Sequence, residues 1–153
     1  MTVISCGTVI RSSKYMLIGR PTNHKYWNIP KGRMDNGETF LNTALRETKE
    51  ETGIDLSLLL DDISNAKFLG YFKYYKKKDL VLYDIRFKDD TLPDIKNIKC
   101  RSMFYNKKYD IYQPEFDLFM YIPLKDYGNY MTKSLVKVFD QIEFDGVAEI
   151  DRR

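Results

Sequence analysis

The chain is poor in the residues that build metal-thiolate and histidine chemistry: two cysteines and a single histidine in 153 residues. Cys6 and Cys100 lie far apart, with no CxxC or CxxH spacing, which argues against zinc, and two thiols do not make a disulfide framework in a chain this large. Both are expected to be reduced core thiols. His24 is too solitary for a catalytic dyad and belongs by default on the surface. No apolar run approaches membrane-spanning length, and Met1–Gly7 lacks the basic flank and long apolar stretch of a secretion signal. A cytoplasmic protein without a membrane partner is expected. Internal repeats, low-complexity tracts and blocks of like charge are also missing. The formal net charge is only +3 with 31% charged residues, so nothing marks a disordered tail or a dedicated polyanion-binding arm, and a weak preference for anionic ligands is all the charge supports.

What is present is enough apolar content, 43%, to build a core, and the length predicts one domain over residues 1–153. Residues 3–10 and 15–19 are β-branched-rich runs separated by Arg11-Ser12-Ser13-Lys14, the pattern of a hairpin. From Pro21 to Gly37 turn residues dominate, with only Tyr26-Trp27-Asn28-Ile29 strand-like, which predicts a long functional loop. A helix begins at Thr39, with Leu41, Ala44, Leu45, Thr48 and Thr52 on one face and Gly53 as its stop. Residues 66–75 and 80–88 read as a second hairpin turning at Lys76-Lys77-Lys78-Asp79. A weaker run covers 99–105, Phe116–Pro123 reads as a strand, and Met131–Ile142 as a helix presenting Leu135, Val138, Phe139 and Ile142. Strands before, between and after two helices predict a mixed α/β sheet with helices on its faces.

Arg46 to Ile54 crowds Glu47, Glu50 and Glu51 onto one edge of the first helix, at i, i+3 and i+4. Like charges so placed repel, and a divalent cation would reverse the sign; clustered carboxylates suit Mg²⁺ or Mn²⁺. Taken alone, the run reads equally well as a solvated acidic helix balanced by Arg46 and Lys49. The longer stretch, Gly32-x5-Glu38-x7-Arg46-Glu47-Thr48-Lys49-Glu50-Glu51-Thr52-Gly53-Ile54, resembles the Nudix box, G-x5-E-x7-R-E-U-x-E-E-x-G-U with U aliphatic. Only Thr48 departs from it. The resemblance implies an α/β/α sandwich with a mixed β-sheet between helices, and a hydrolase of nucleoside diphosphates linked to another moiety. It further implies Mg²⁺ or Mn²⁺ held by Glu47, Glu50, Glu51 and the carbonyl of Gly32, with Arg46 orienting Glu47 and with Glu38 and Gly53 structural. The chemistry is coherent, because a bound metal neutralises pyrophosphate and activates a water aimed at phosphorus.

Flanking residues bear on the substrate. Trp27-Asn28-Ile29-Pro30-Lys31-Gly32 resembles the W-x-x-P-K/Q-G approach of dinucleoside polyphosphate hydrolases and bacterial RNA 5′ pyrophosphohydrolases. By that resemblance Trp27 and Lys31 contact substrate, Lys31 as a point charge on a distal phosphate; a solvated loop lysine is the alternative. Pro114-Glu115-Phe116-Asp117 is similar to a P-E-F-D segment of the RNA pyrophosphohydrolases. It implies Glu115 as a further metal ligand or general base, beside Glu50, although Leu118-Phe119-Met120-Tyr121 stands where that group has W-x-W. Tyr71, 17 residues beyond Ile54, resembles a substrate tyrosine of the dinucleoside polyphosphate hydrolases, or is a packed strand aromatic. Tyr71–Lys78 interleaves aromatics with lysines and reads as an RNA-tracking surface or a solvated hairpin tip. The expected activity is metal-dependent cleavage of a phosphoanhydride in dinucleoside polyphosphates or the 5′-triphosphate end of RNA. The alternatives are hydrolysis of ADP-ribose, FAD or modified nucleoside triphosphates, and a nucleotide-sensing module that does not cleave.

Overall fold

The structure is a computed structural model describing residues 1–150; positions 151–153 of the expected domain lie outside the described residues. Strand β1 (Val3–Arg11) turns through residues 12–14 into β2 (Tyr15–Pro21), and the loop that follows leads to a short β3 (Lys31–Arg33). Helix α1 (Phe40–Thr52) comes next, then β4 (Ile63–Tyr75), β5 (Lys78–Phe87), a small hairpin of β6 (Met103–Asn106) and β7 (Ile111–Pro114), β8 (Phe116–Pro123) and helix α2 (Lys133–Phe139). The main sheet runs β4-β5-β1-β2-β8, with β3 added to β1. β1 pairs parallel with β5 along its whole length, while its register with β2 is a corner, Arg11 opposite Met16. The sheet is therefore mixed, and β1 is the strand that joins its parts.

Helices cover both faces. Val9 of β1 packs into the cluster that holds Leu135, Val138 and Phe139 of α2, whereas its neighbour Ile10 joins Ile54, Leu56 and the half-buried Leu45 on the α1 side. Two-residue alternation along β1 thus builds an α/β/α sandwich, because successive side chains point to opposite faces. The strongest polar lock lies inside the sheet. Arg11, fully buried, forks onto both carboxylate oxygens of Asp84 across β1 and β5 at 2.7 Å each, and donates to the Asp145 carbonyl at 2.8 Å. Its charge is thereby paired and hydrogen-bonded, the condition for burying a guanidinium.

Several sequence expectations shift in the fold. The strand in the long loop is Lys31–Arg33, not Tyr26–Ile29; Trp27 and Asn28 make only isolated bridges, to Met131 and Gly19. β3 can lie so close to β1 because Gly7 has no side chain: a Cβ there would fall 2.6 Å from Cβ of Lys31. The central hairpin turns at Lys76-Lys77 alone, Lys77 taking φ +61°, so Lys78 and Asp79 belong to β5. The run at 99–105 becomes strand only from Met103, and its partner β7 has no apolar pattern to reveal it. α2 is capped by Thr132 and ends at Phe139, leaving Met131 before it and Ile142 beyond it, both packed with the core. Leu41 is 43% exposed, and the buried face of α1 is Thr43, Ala44, Glu47, Thr48, Glu51 and Thr52. That rotation puts two of the glutamates inward. No helix among the described residues is long and apolar enough to cross a membrane.

Candidate active site

Helix α1 presents the box residues, and its ends are fixed by sequence. The Thr39 side chain accepts from the Asn42 amide, and Gly53 closes the helix in the left-handed conformation at φ +77°, donating its N–H to the Lys49 carbonyl. Segment 99–102 completes that end: the Lys99 N–H reaches the Thr52 carbonyl, and the Arg101 and Ser102 amides both donate to the Glu50 carbonyl, at 2.7 and 3.0 Å. Thr48, the departure from the box pattern, is fully buried; its hydroxyl lies 2.7 Å from that of Thr8 on β1 and donates to the Ala44 carbonyl. A buried polar atom is tolerated here because it is paired.

Arg46 is the hub of the cluster. Its Nε and Nη2 fork onto the two oxygens of Glu38 at 2.8 and 2.9 Å, while Nη1 donates to Glu47 at 2.8 Å and to Glu50 at 3.2 Å. Nη2 also donates to the Arg33 carbonyl, which ties the helix to β3. Glu38 accepts further bonds from the Asp35 amide and the Thr43 hydroxyl. The Arg46 hydrogen bonds, then that of Asp35, hold the Glu38 carboxyl far below its ordinary range, at about 2.

Glu47 and Glu51 are 9% and 4% exposed. Glu47 lies directly against Gly32, where a Cβ would fall 2.1 Å from its carboxyl carbon. Glycine is required there for the approach itself. Glu51 accepts the Lys31 backbone N–H at 2.7 Å and lies beside the carboxyl group of Glu115. Burial first, then the Glu115 contact and the nearby Glu47, push the Glu51 carboxyl up to about 10. Burial also raises Glu47, against the opposing pull of Arg46. Glu115 reaches this position because its amide donates to the Ser102 carbonyl, and its own carbonyl accepts from Thr22.

The donor set fits a hard divalent cation. Glu47, Glu51 and Glu115 bring carboxyl oxygens from two parts of the chain together, and burial with the neighbouring Glu115 and Glu47 raises Glu51 there. As the side chains stand, no group of three acidic, histidine or cysteine residues encircles a single point among the described residues. Glu50 and Glu47 are drawn onto Arg46 instead, and Glu51 onto Lys31 and Glu115. The three helix glutamates therefore do not converge as their spacing predicts: Glu47 and Glu51 face inward with Glu115, while Glu50 stands on the exposed side.

The expected substrate residues divide between two places. Lys31 places its amine 5.1 Å from the centre of the Tyr74 ring, within electrostatic reach of Glu51 and Tyr75, and burial lowers its pKa. Trp27 is half-buried against the α2-side core, its amide bonded to the Tyr130 carbonyl. Tyr71 does not join them. It is exposed, bonded through its hydroxyl to Asp79 at 2.6 Å, with its ring 6.0 Å from Phe40 at the start of α1. Beside Lys31 the fold assembles a group of hydroxyls absent from the sequence reading: the Tyr74 and Tyr75 rings lie 4.4 Å apart, with Asn28, Thr132 and Ser134 near enough to act on their phenols. Burial pushes the Tyr75 phenol up, yet these neighbours outweigh it and leave it below its ordinary value. Only the contact of strand β4 with the start of α2 could reveal that cluster. His24 is exposed beside Tyr26, and Cys6 and Cys100 are buried free thiols.

Comparison with known proteins bears on the family and the fold. The NUDIX domain model matches residues 1–103. A 17.7 kDa protein from the e–segB intergenic region of Enterobacteria phage T4 is 33% identical over 155 aligned residues, covering 93% of this chain and 96% of its own. The asymmetrical bis(5′-nucleosyl)-tetraphosphatase of Mus musculus is 32% identical over 100 residues, 58% of this chain and 68% of the mouse protein. Among solved structures, a C. elegans Ap4A hydrolase in a binary complex superimposes with a TM-score of 0.61 at 20% identity, covering 92% of this chain and 94% of the other, a likeness of fold.

Proposed function

Because the chain belongs to the NUDIX family, whose fold and box it carries, we propose that it is a Mg²⁺- or Mn²⁺-dependent pyrophosphohydrolase that cleaves a phosphoanhydride of dinucleoside polyphosphates or of the 5′-triphosphate end of RNA. The observation that carries this reading is the buried carboxyl group of Glu51 set against Glu47 and Glu115, whose mutual repulsion a divalent cation relieves. Similarity to the mouse tetraphosphatase supports the substrate class.

Glu47, Glu51, Glu115 and Glu50, with the Gly32 carbonyl, would hold the ion. When bound, it neutralises the pyrophosphate charge and lowers the pKa of a water molecule. Arg46 keeps Glu47 and Glu50 in place by hydrogen bonds from one guanidinium, so the ligand set is ordered before substrate arrives. Glu50, the more exposed of the helix glutamates, or Glu115 accepts the proton of the water that attacks phosphorus; the P–O anhydride bond breaks and the phosphate beyond it departs. Lys31 meets a phosphate distal to that bond, and Trp27 borders the nucleoside.

The test is to incubate the protein with Mg²⁺ or Mn²⁺ and diadenosine polyphosphates, triphosphorylated RNA, ADP-ribose, FAD and nucleoside triphosphates, and to identify the products. Cleavage of the first two is expected, with Lys31→Ala weakening them more than ADP-ribose. Turnover of ADP-ribose alone, or tight binding without turnover, would overturn the reading.

A further inference from the structure

Hairpin β6–β7 stands apart from the main sheet, yet both of its ends are rooted in the catalytic cluster. Ser102, just before β6, holds the Glu50 carbonyl, and Glu115, just after β7, touches Glu51. The hairpin carries aromatic surface into solvent. Tyr105 and Tyr112 are direct cross-strand partners with ring centroids 5.3 Å apart, and they are 44% and 72% exposed; Tyr109 at the turn is 56% exposed.

Paired residues of an antiparallel ladder share a face, so Tyr105 and Tyr112 lie on the same side as the pair Met103 and Pro114. That pair forms one wall of an open groove of about 590 Å³, lined also by Cys100, Phe116, Phe119, Lys99 and Asp117, whose carboxylate is paired with Arg20. Lys107 and Lys108 stand exposed at the hairpin turn and Arg101 at its base. The only acidic residue within the hairpin, Asp110, is occupied by the Tyr105 hydroxyl. Exposed tyrosine faces rimmed by cations are what a single nucleic-acid strand binds, its bases stacking and its phosphates pairing with lysine. A hydrophobic partner protein would instead meet a lysine-rich rim.

We propose that the β6–β7 hairpin, through Tyr105, Tyr112, Lys107 and Lys108, is a docking surface for a single-stranded polynucleotide whose 5′ end lies in the carboxylate cluster. This deepens the functional reading above and rests on it for the direction of the strand, since a dinucleotide is too short to need a surface beyond Glu115. Binding itself is independent of hydrolysis and is tested separately.

Fluorescence anisotropy with a labelled 12-nucleotide RNA bearing a 5′ hydroxyl, which the enzyme has no anhydride to cleave, reads the surface directly. Tyr105→Ala/Tyr112→Ala should weaken binding about tenfold, with Tyr112→Phe close to wild type. Lys107→Ala/Lys108→Ala should reduce the slope of log K against log salt by about 1.4. In steady-state assays the tyrosine double variant should raise KM for triphosphorylated RNA and leave diadenosine tetraphosphate unchanged. The inference is overturned if none of these variants changes RNA binding, if both substrates suffer equally, or if sedimentation shows the hairpin buried between two copies of the chain. If RNA binds as predicted but no anhydride is hydrolysed, the catalytic reading fails and the surface stands.

Discussion

At the scale of single residues, two carboxyl groups on the box give opposite pH signatures. Glu38 is held at about 2 against an ordinary 4.5, mainly by the Arg46 hydrogen bonds. Its contribution to stability is therefore complete above pH 4.5 and is lost as pH falls toward 2. Arg46→Ala should remove this acid limb from a plot of Tm against pH; an unchanged limb would show that the fork does not shift Glu38. Glu51 works in the other direction. Held at about 10, it retains in the folded state a proton that the unfolded chain gives up near 4.5. In EDTA the Tm should fall as pH rises from 5 to 9, and Glu51→Gln should flatten the fall. With Mg²⁺ the sign reverses, because a metal binds the deprotonated carboxylate and its affinity grows with pH. Calorimetric titration of Mg²⁺ in two buffers of different ionisation enthalpy should register proton release, which zero release would contradict.

At the scale of elements, the contact of α1 with β1 shows how a departure from a sequence pattern is accommodated. The buried Thr48 hydroxyl meets Thr8, so changing Thr48 leaves the Thr8 hydroxyl without that partner, whereas changing Thr8 leaves Thr48 its bond to the Ala44 carbonyl. Thr48→Val should cost about 1–3 kcal/mol in urea unfolding and Thr8→Val less, while the double variant should cost less than their sum. Additive losses would mean that the two hydroxyl groups do not depend on each other. The same helix shows what sequence reading can reach. Thr39 and Gly53 carry cap chemistry in their own side chains and backbone, and so both ends of α1 were legible. Strand β8 was legible as well, an apolar run from Phe116 to Pro123 interrupted only by Asp117. β3 and β7 were not, because three or four residues such as Lys31–Arg33 and Ile111–Pro114 hold no period; pairing with Gly7 and with Met103–Asn106 makes them strands.

The inward face of α1 holds Ala44, Thr48 and Thr52 as expected, and departs from expectation at Leu41 and at two glutamates for a physical reason. Hydrophobic periodicity places Leu41 inside, but the carboxyl groups of Glu47 and Glu51 take the buried side against Gly32 and Lys31, and Leu41 is left in solvent. A site that buries charge breaks the pattern that locates a core. Glu115 could be named from its Pro-Glu-Phe-Asp context, whereas its contact with Glu51 depends on the Ser102 carbonyl, 13 residues earlier in the chain.

At the scale of the whole molecule, the sheet gathers the box helix, the β3 edge and the Glu115 segment around one buried carboxylate cluster, and the buried Arg11–Asp84 pair stiffens the strands beneath it. Removing one partner of that pair, as in Asp84→Asn, leaves a buried guanidinium underpaired and should lower stability by about 3–5 kcal/mol in urea unfolding. A loss below about 1 kcal/mol would show that the Asp145 carbonyl and the Phe144 ring suffice to hold Arg11. The central claim is that this cluster hydrolyses a phosphoanhydride with a divalent ion, and the most direct measurement is the rate of diadenosine tetraphosphate hydrolysis with and without Mg²⁺. It should be made on the wild type and on Glu50→Gln and Glu51→Gln variants whose circular dichroism shows them folded. Hydrolysis that requires Mg²⁺ and falls at least a hundredfold in both variants is predicted, on the scale of removing acid–base or metal-ligand groups. Undiminished Mg²⁺-dependent hydrolysis by the folded Glu50→Gln and Glu51→Gln variants would contradict it.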